Sequence, residues 1–495
     1  MTNIKPKKLS RQMGILALTA TGVCSMLGAS INVVPFMIQR NVPGIGPYVL
    51  PAFAFAAIPA LFAALAYGIL GSAMPRAGGS YIYASRGLNP YLGFVASFSQ
   101  WFGLSIVIGV IAYVTVPFIR DVTLALGWQG ISEGLEIGWI RVSIALALIW
   151  SFVAINSKGI KSYERILLPM MFLMLALGGI VIVAGLVYDS SDFLTALQEK
   201  TGNTFEPIKS IVFDWRIFLS AAALLFSSFI GFDSIAQAGG EAKNPTKALP
   251  TAILLAIFGV GLFYFLFAVS VYHIVPWSFV AQEALEKDIS APGLLSYVLP
   301  SGLGIAILAG AAIALINDLP AMLLSVSRLM FAWAKDGIFP KAVSRIHPKN
   351  HTPHIALFVA GGMASIGVLG SHFAGDFFLG IDIMVTSMMV NFLLMCITLV
   401  SIHNINPNIA NGISVIKNRN WQLCIGWLGI ISLTAFLIIH TYKDLTASAS
   451  AWYFHSTPIW LIVMGLASGI FGYNWSRLKK NEIEIATRFL KLPEE

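Results

Sequence analysis

Charge is what this sequence has least of. Only 11% of its 495 residues are Asp, Glu, Lys or Arg, while 57% are hydrophobic; a soluble chain carries about 25% charged residues. That shortage excludes a water-soluble enzyme, a disordered chain and a nucleic-acid binder. Cysteine is scarce too. Cys24, Cys396 and Cys424 all fall inside apolar runs, which argues against a disulfide framework. No P-loop, nucleophile elbow or metalloprotease motif occurs, and no catalytic constellation replaces them. His347, His351 and His354 are separated by Pro348 and Pro353, and no cysteine or acid completes a ligand set. Neither a metal nor a cofactor is expected.

What is present is long apolar sequence. The mean hydropathy is +0.79, and twelve runs are long enough for a helix to cross a bilayer: 13–39, 45–73, 91–119, 139–156, 166–187, 216–240, 250–275, 302–334, 354–372, 377–402, 421–440 and 456–475. They are continuous and lack period-2 alternation, so a membrane barrel is excluded. The expected fold is an all-α polytopic membrane protein with about twelve transmembrane helices. The basic start (Lys5, Lys7, Lys8, Arg11) leads into a long span, unlike a cleavable signal. The net charge of +8 sits in short connections. Those on the side of both termini hold 22 of the 31 Lys and Arg, and the opposite ones hold 8. This bias predicts cytoplasmic termini. The connection 188–215 is acidic, and 280–287 is expected to form a short surface helix.

Function is sought where the sequence violates what lipid prefers. Span 1 carries Gly22-Val23-Cys24-Ser25-Met26-Leu27-Gly28-Ala29-Ser30-Ile31-Asn32-Val33-Val34-Pro35, a mid-span cluster of small and polar residues with a proline one turn later. Span 6 carries Phe226-Ser227-Ser228-Phe229-Ile230-Gly231-Phe232-Asp233-Ser234. Each reads either as a small-residue packing stripe or as a discontinuous helix whose freed backbone groups hold a substrate. The two run antiparallel and each opens a block of five spans, the geometry of an inverted repeat with its site between the breaks. Ionisable residues inside spans are few: Asp233, Asp318, Asp382 and Arg328. Asp233 has a capping or pairing alternative, Arg328 snorkels or pairs, and Asp382 lines the path or sits near the outer interface. Asn317-Asp318, just before Pro320, is expected to form a third polar break.

Three further stretches resemble the amino acid–polyamine–organocation superfamily, the amino acid permeases, and the likeness covers roughly residues 10–410. They are Met74-Pro75-Arg76-Ala77-Gly78-Gly79-Ser80-Tyr81 after span 2, Gly231-Phe232-Asp233-Ser234 with Glu241-Ala242-Lys243-Asn244-Pro245, and Ser327-Arg328 through Asp336-Gly337-Ile338-Phe339-Pro340 to Thr352-Pro353-His354. The resemblance implies a five-plus-five inverted-repeat core, discontinuous helices 1 and 6, and two peripheral helices. It implies a layout of cytoplasmic N-terminus (1–12), transport core (13–402), helices 11–12 (403–476) and cytoplasmic C-terminus (477–495).

The resemblance also implies secondary transport of an amino acid across the cytoplasmic membrane by alternating access. Polyamines, other organic amines or a cation are the alternative cargo, and a non-transporting amino acid sensor is a further alternative. The substrate carboxylate is expected on Leu27, Gly28, Ala29 and Ser30, its amino group on Ser227, Ser228, Phe229, Ile230 and Gly231. Asn32, Asp233, Asn317 and Asp318 are the candidates for coupling to a proton or sodium, and exchange for a counter-substrate is the other option. Three positions depart from the family pattern: Ser30 and Asn32 at the first break, and Ile69 where a glutamate is usual. Span 5 has no basic residue, with Met170, Met171 and Met174 in the region where some members carry a coupling lysine.

Overall fold

The computed structural model describes residues 9–494 except 203, 209, 375–376, 448–450 and 482–487; for 29–30, 374, 377–378 and 480–481 it describes the backbone alone. Of the expected N-terminal segment 1–12, residues 1–8 thus lie outside the described residues. The described chain is helical, with two isolated β-bridges and no strand. That follows from the composition. A run of some twenty apolar residues satisfies its backbone in lipid by closing every hydrogen bond within the segment.

Eleven helices are long and apolar enough to cross a membrane. The first apolar run makes none of them, because it is divided into Ile15–Met26, Ala29–Asn32 and Val34–Asn41. Helix Pro90–Ala125 packs at the centre against both Ser301–Lys335 and Phe377–Ile405, and Gly138–Ser157, Ile160–Val187, Arg419–Thr446 and Ser456–Asn481 form much of the outside. Close approach at the centre needs small residues: a Cβ on Gly109 would lie 2.3 Å from the Ala364 carbonyl oxygen. Polar side chains mark the helix starts. Asn89 accepts the Leu92 amide (2.8 Å) with Pro90 at the first helical position.

Several connections carry helices. Trp277–Glu286 is the short surface helix expected at 280–287, and Ser190–Thr201, opened by an Asp189/Asp192 capping box, lies in the acidic connection. One expectation is overturned. Asn317-Asp318 does not break its helix, which runs without interruption from Ser301 to Lys335 through Pro320. A single proline deletes one backbone hydrogen bond and kinks the helix. The helix continues on both sides of the proline, packed against its neighbours, and Asn156 donates to the Pro320 carbonyl (3.0 Å).

Candidate functional site

The first interruption begins at Leu27. Its amide still closes on the Val23 carbonyl (3.0 Å), but the helix stops there. The Met26 carbonyl is taken by the Tyr264 hydroxyl (2.5 Å), and a second bend at Val33 precedes Val34–Asn41. Gly28 is in contact with the eighth span: a Cβ there would fall 1.5 Å from Asp318 Oδ2. The Asp318 carboxylate therefore stands directly against the backbone of the first break. The side chains of Ala29 and Ser30 lie outside the described residues.

The second interruption follows Trp215–Leu225. A 3₁₀ turn over Phe226–Phe229 leads to an extended Ile230, then Gly231 at φ +136°, and a new helix starts at Asp233. Glycine is required at 231 twice over. Its φ lies in the left-handed region, and a Cβ would approach the Ser25 carbonyl oxygen to 2.3 Å. The two breaks thus touch through backbone, and Ser25 Oγ and Ser234 Oγ join them at 3.0 Å. The hydroxyls of Ser227 and Ser228 are buried and, among the described residues, have no hydrogen-bond partner. Buried hydroxyls are usually bonded, and of these two Ser227 borders the cavity between the breaks.

A cavity of about 20 Å³ separates the breaks, lined by Ser25, Met26, Ser227, Ile230 and Asp318 and walled by apolar residues of neighbouring spans, Val110 and Met384 among them. That volume holds one water molecule; an amino acid requires the bundle to open.

Other predicted site residues lie elsewhere. Phe229 packs between Phe53 (centroids 5.0 Å) and Tyr264 (6.4 Å), the aromatic-packing alternative. Asn32 borders a second small cavity, with Leu27 and Met174. Asn317 donates to Cys24 Sγ (2.9 Å). Asp382 is partly exposed and does not line the cavity between the breaks. Asp233 is buried, accepts the Gly231 amide (3.1 Å) and is held by the Gln100 side-chain amide.

Gln100 belongs to a buried polar network that sequence reasoning missed. Ser80 Oγ meets Tyr67 (2.6 Å), Gln100 (2.7 Å) and Gln237 (2.7 Å), and Asn391 donates to Tyr67 (2.6 Å). It ties the Gly78-Gly79-Ser80 stretch to the second break. Gly79 permits this, since a Cβ would sit 2.7 Å from the Ala236 carbonyl oxygen. The signal in the sequence was the isolated amides Gln100 and Gln237 within apolar runs, since an amide in lipid needs a partner.

The bundle differs at its two ends. At the end carrying both termini, two buried ion pairs close it: Arg328 with Glu241 (2.5 and 3.1 Å), and Arg86 with Asp336. Arg328 is therefore paired rather than snorkelling. The C-terminal segment lies against the second of these pairs. Phe489 stacks on the Arg86 guanidinium (4.9 Å), and the carbonyls of Leu490, Lys491 and Pro493 accept from Asn406 (3.2 Å), Arg86 (3.3 Å) and Arg76 (2.9 Å). At the opposite end a cavity of about 580 Å³ descends to Val33, at the first break, and to Val110, which also lines the cavity between the breaks.

Comparison with known proteins agrees with this architecture. A family model described as amino acid permease matches residues 13–473. A branched-chain amino acid permease of Bacillus subtilis (strain 168) is 25% identical over 382 residues, covering 74% of this chain and 75% of that protein. A low-affinity putrescine importer of Escherichia coli (strain K12) is 25% identical over 323 residues, covering 65% and 67%. A cationic amino acid transporter 4 of Mus musculus is 27% identical over 368 residues, covering 72% and 55%. The family match runs through both interrupted helices and ten of the eleven apolar helices in full, and the chain belongs to the amino acid permease family of integral membrane proteins.

Proposed function

We propose that this protein is a secondary transporter of amino acids, embedded in the cytoplasmic membrane with both termini in the cytoplasm, and that it works by alternating access. One observation carries the reading: two helices interrupted side by side in the bundle centre, with Ser25, Ser227 and Asp318 lining the cavity between them. A broken helix in lipid is tolerated where its freed groups line a cavity or meet a guest. The backbone of Leu27-Gly28-Ala29-Ser30 takes the substrate carboxylate, and carbonyls and hydroxyls of Ser227–Gly231 take its ammonium group. The contact of Gly231 with Ser25 fixes the two half-sites relative to each other. Five-plus-five rocking of one bundle against the other opens the cavity to each side in turn. Among the ion-coupling candidates, Asp318 has the geometry for it. A substrate carboxylate at Gly28 meets a resident carboxylate there, and two like charges so close require a proton, a cation or a displacement. Asp233, bonded to Gln100 and the Gly231 amide, instead stabilises the second break.

A diamine or other organic cation is the second reading, favoured by the same Asp318, whose carboxylate would receive an ammonium group. Uptake into proteoliposomes from a panel of labelled amino acids and amines decides. Each is offered with no gradient, a proton gradient, a sodium gradient, or unlabelled substrate inside. Accumulation of an amino acid is the expected outcome. Accumulation of diamines alone supports the second reading, and specific binding without flux makes the protein a sensor.

A further inference from the structure

The 580 Å³ cavity at the end opposite the termini falls in the size range of small-molecule sites. Its wall mixes apolar residues, including Met37, Val114 and Phe118, with three arginines and two aspartates. Two of the arginines are already compensated. Arg40 pairs with Asp288 (2.8 Å), and Arg120 with Asp121 (2.7 Å) and Glu136 (3.5 Å). Arg141 is different. Its Nε donates to the Tyr113 carbonyl (3.1 Å) and its guanidinium carbon lies over the Tyr113 ring, 3.7 Å from the centroid. Among the described residues no carboxylate lies within ion-pair distance of it.

Stacking and the Nε bond hold the guanidinium plane still, which prepares its remaining edge for the two oxygens of one carboxylate. The apolar wall suits an aliphatic or aromatic side chain. Val110, shared with the cavity between the breaks, places this chamber on the path to them.

We propose that this vestibule is a loading site, which holds an amino acid by its carboxylate on Arg141 before the substrate passes Val110, and which disfavours diamines because they bring only positive charge to an arginine with no carboxylate at ion-pair distance. The proposal rests on the amino acid reading above and adds where the carboxylate is first recognised. The test is initial uptake against substrate concentration by wild type, Arg141→Gln and Arg141→Lys in proteoliposomes. The substrate is an amino acid that the wild type accumulates, supplied separately at each face of the protein.

For substrate supplied at the vestibule face, Arg141→Gln raises KM by about tenfold or more, the worth of a charge-assisted hydrogen bond, while kcat stays within about twofold. KM from the terminal face is unchanged. Putrescine, which competes poorly with wild type, inhibits Arg141→Gln more strongly. Arg141→Lys shows a smaller rise at the same face, and serves alone if the glutamine variant does not reach the membrane. An unchanged KM at the vestibule face, or equal rises at both faces, overturns the loading site and leaves amino acid transport standing. A wild type that accumulates no amino acid removes both.

Discussion

Gly28 and Gly231 answer to different physical demands, and substitutions separate them. At Gly28 the obstacle is contact, since any Cβ runs into Asp318. Gly28→Leu is expected to abolish amino acid uptake at matched expression, and wild-type uptake would exclude the first break as the site. At Gly231 backbone strain joins the contact. A residue held at φ +136° costs about 1–3 kcal/mol, so Gly231→Ala should lower thermal stability in detergent as well as uptake. Asp318→Asn removes the charge against Gly28 and keeps the shape. It should abolish the ion dependence of uptake while exchange of substrate against substrate persists; the same ion dependence in the variant would remove Asp318 from coupling. The glycines were legible in the sequence because each falls in a cluster of small and polar residues inside an apolar run. The contact with Asp318 was not, since nearly three hundred residues separate the two in the chain.

At the scale of elements, the interruptions of spans 1 and 6 could be read from clustered small polar residues, because several weak turns in succession unwind a helix. Asn317-Asp318-Leu319-Pro320 resembled a third break and is not one. One proline removes one bond, and the helix continues on both sides of it, packed against its neighbours. The end of the sixth-span region is instead fastened to the eighth span by Glu241 and Arg328, both buried. Removing one partner leaves a buried charge uncompensated, a loss of about 3–5 kcal/mol. Glu241→Gln should therefore lower the melting temperature markedly. Glu241→Leu combined with Arg328→Met should recover much of it, which a double-mutant comparison in detergent checks.

For the whole molecule, one end is sealed and the other open. The seal combines the Arg86–Asp336 and Arg328–Glu241 pairs with the C-terminal residues 488–493, which lie against the first of them. Truncation after residue 487 removes the ring from Arg86 and the carbonyls from Arg76, Arg86 and Asn406. The truncated protein is expected to spend more time open toward the terminal face. A cysteine at position 227, in a background with Cys24, Cys396 and Cys424 replaced by serine, should then react faster with an impermeant thiol reagent applied from that face. Equal labelling rates with and without the segment would show that it takes no part in the closure.

Composition and the long apolar runs by themselves determined the class of this protein, eleven of its twelve expected spans and the two places where a helix gives way. These are local properties: lipid demands an internally bonded backbone, and a run of residues either supplies it or fails to. Tertiary structure alone decided which polar residues meet. It set Asp318 against Gly28, turned Phe229 away from the cavity, joined Gln100 to Asp233 and placed Arg141 over the Tyr113 ring with, among the described residues, no carboxylate at ion-pair distance. Each of these is a contact between distant parts of the chain. Its free energy depends on a distance and an exposure that no run of neighbouring residues encodes.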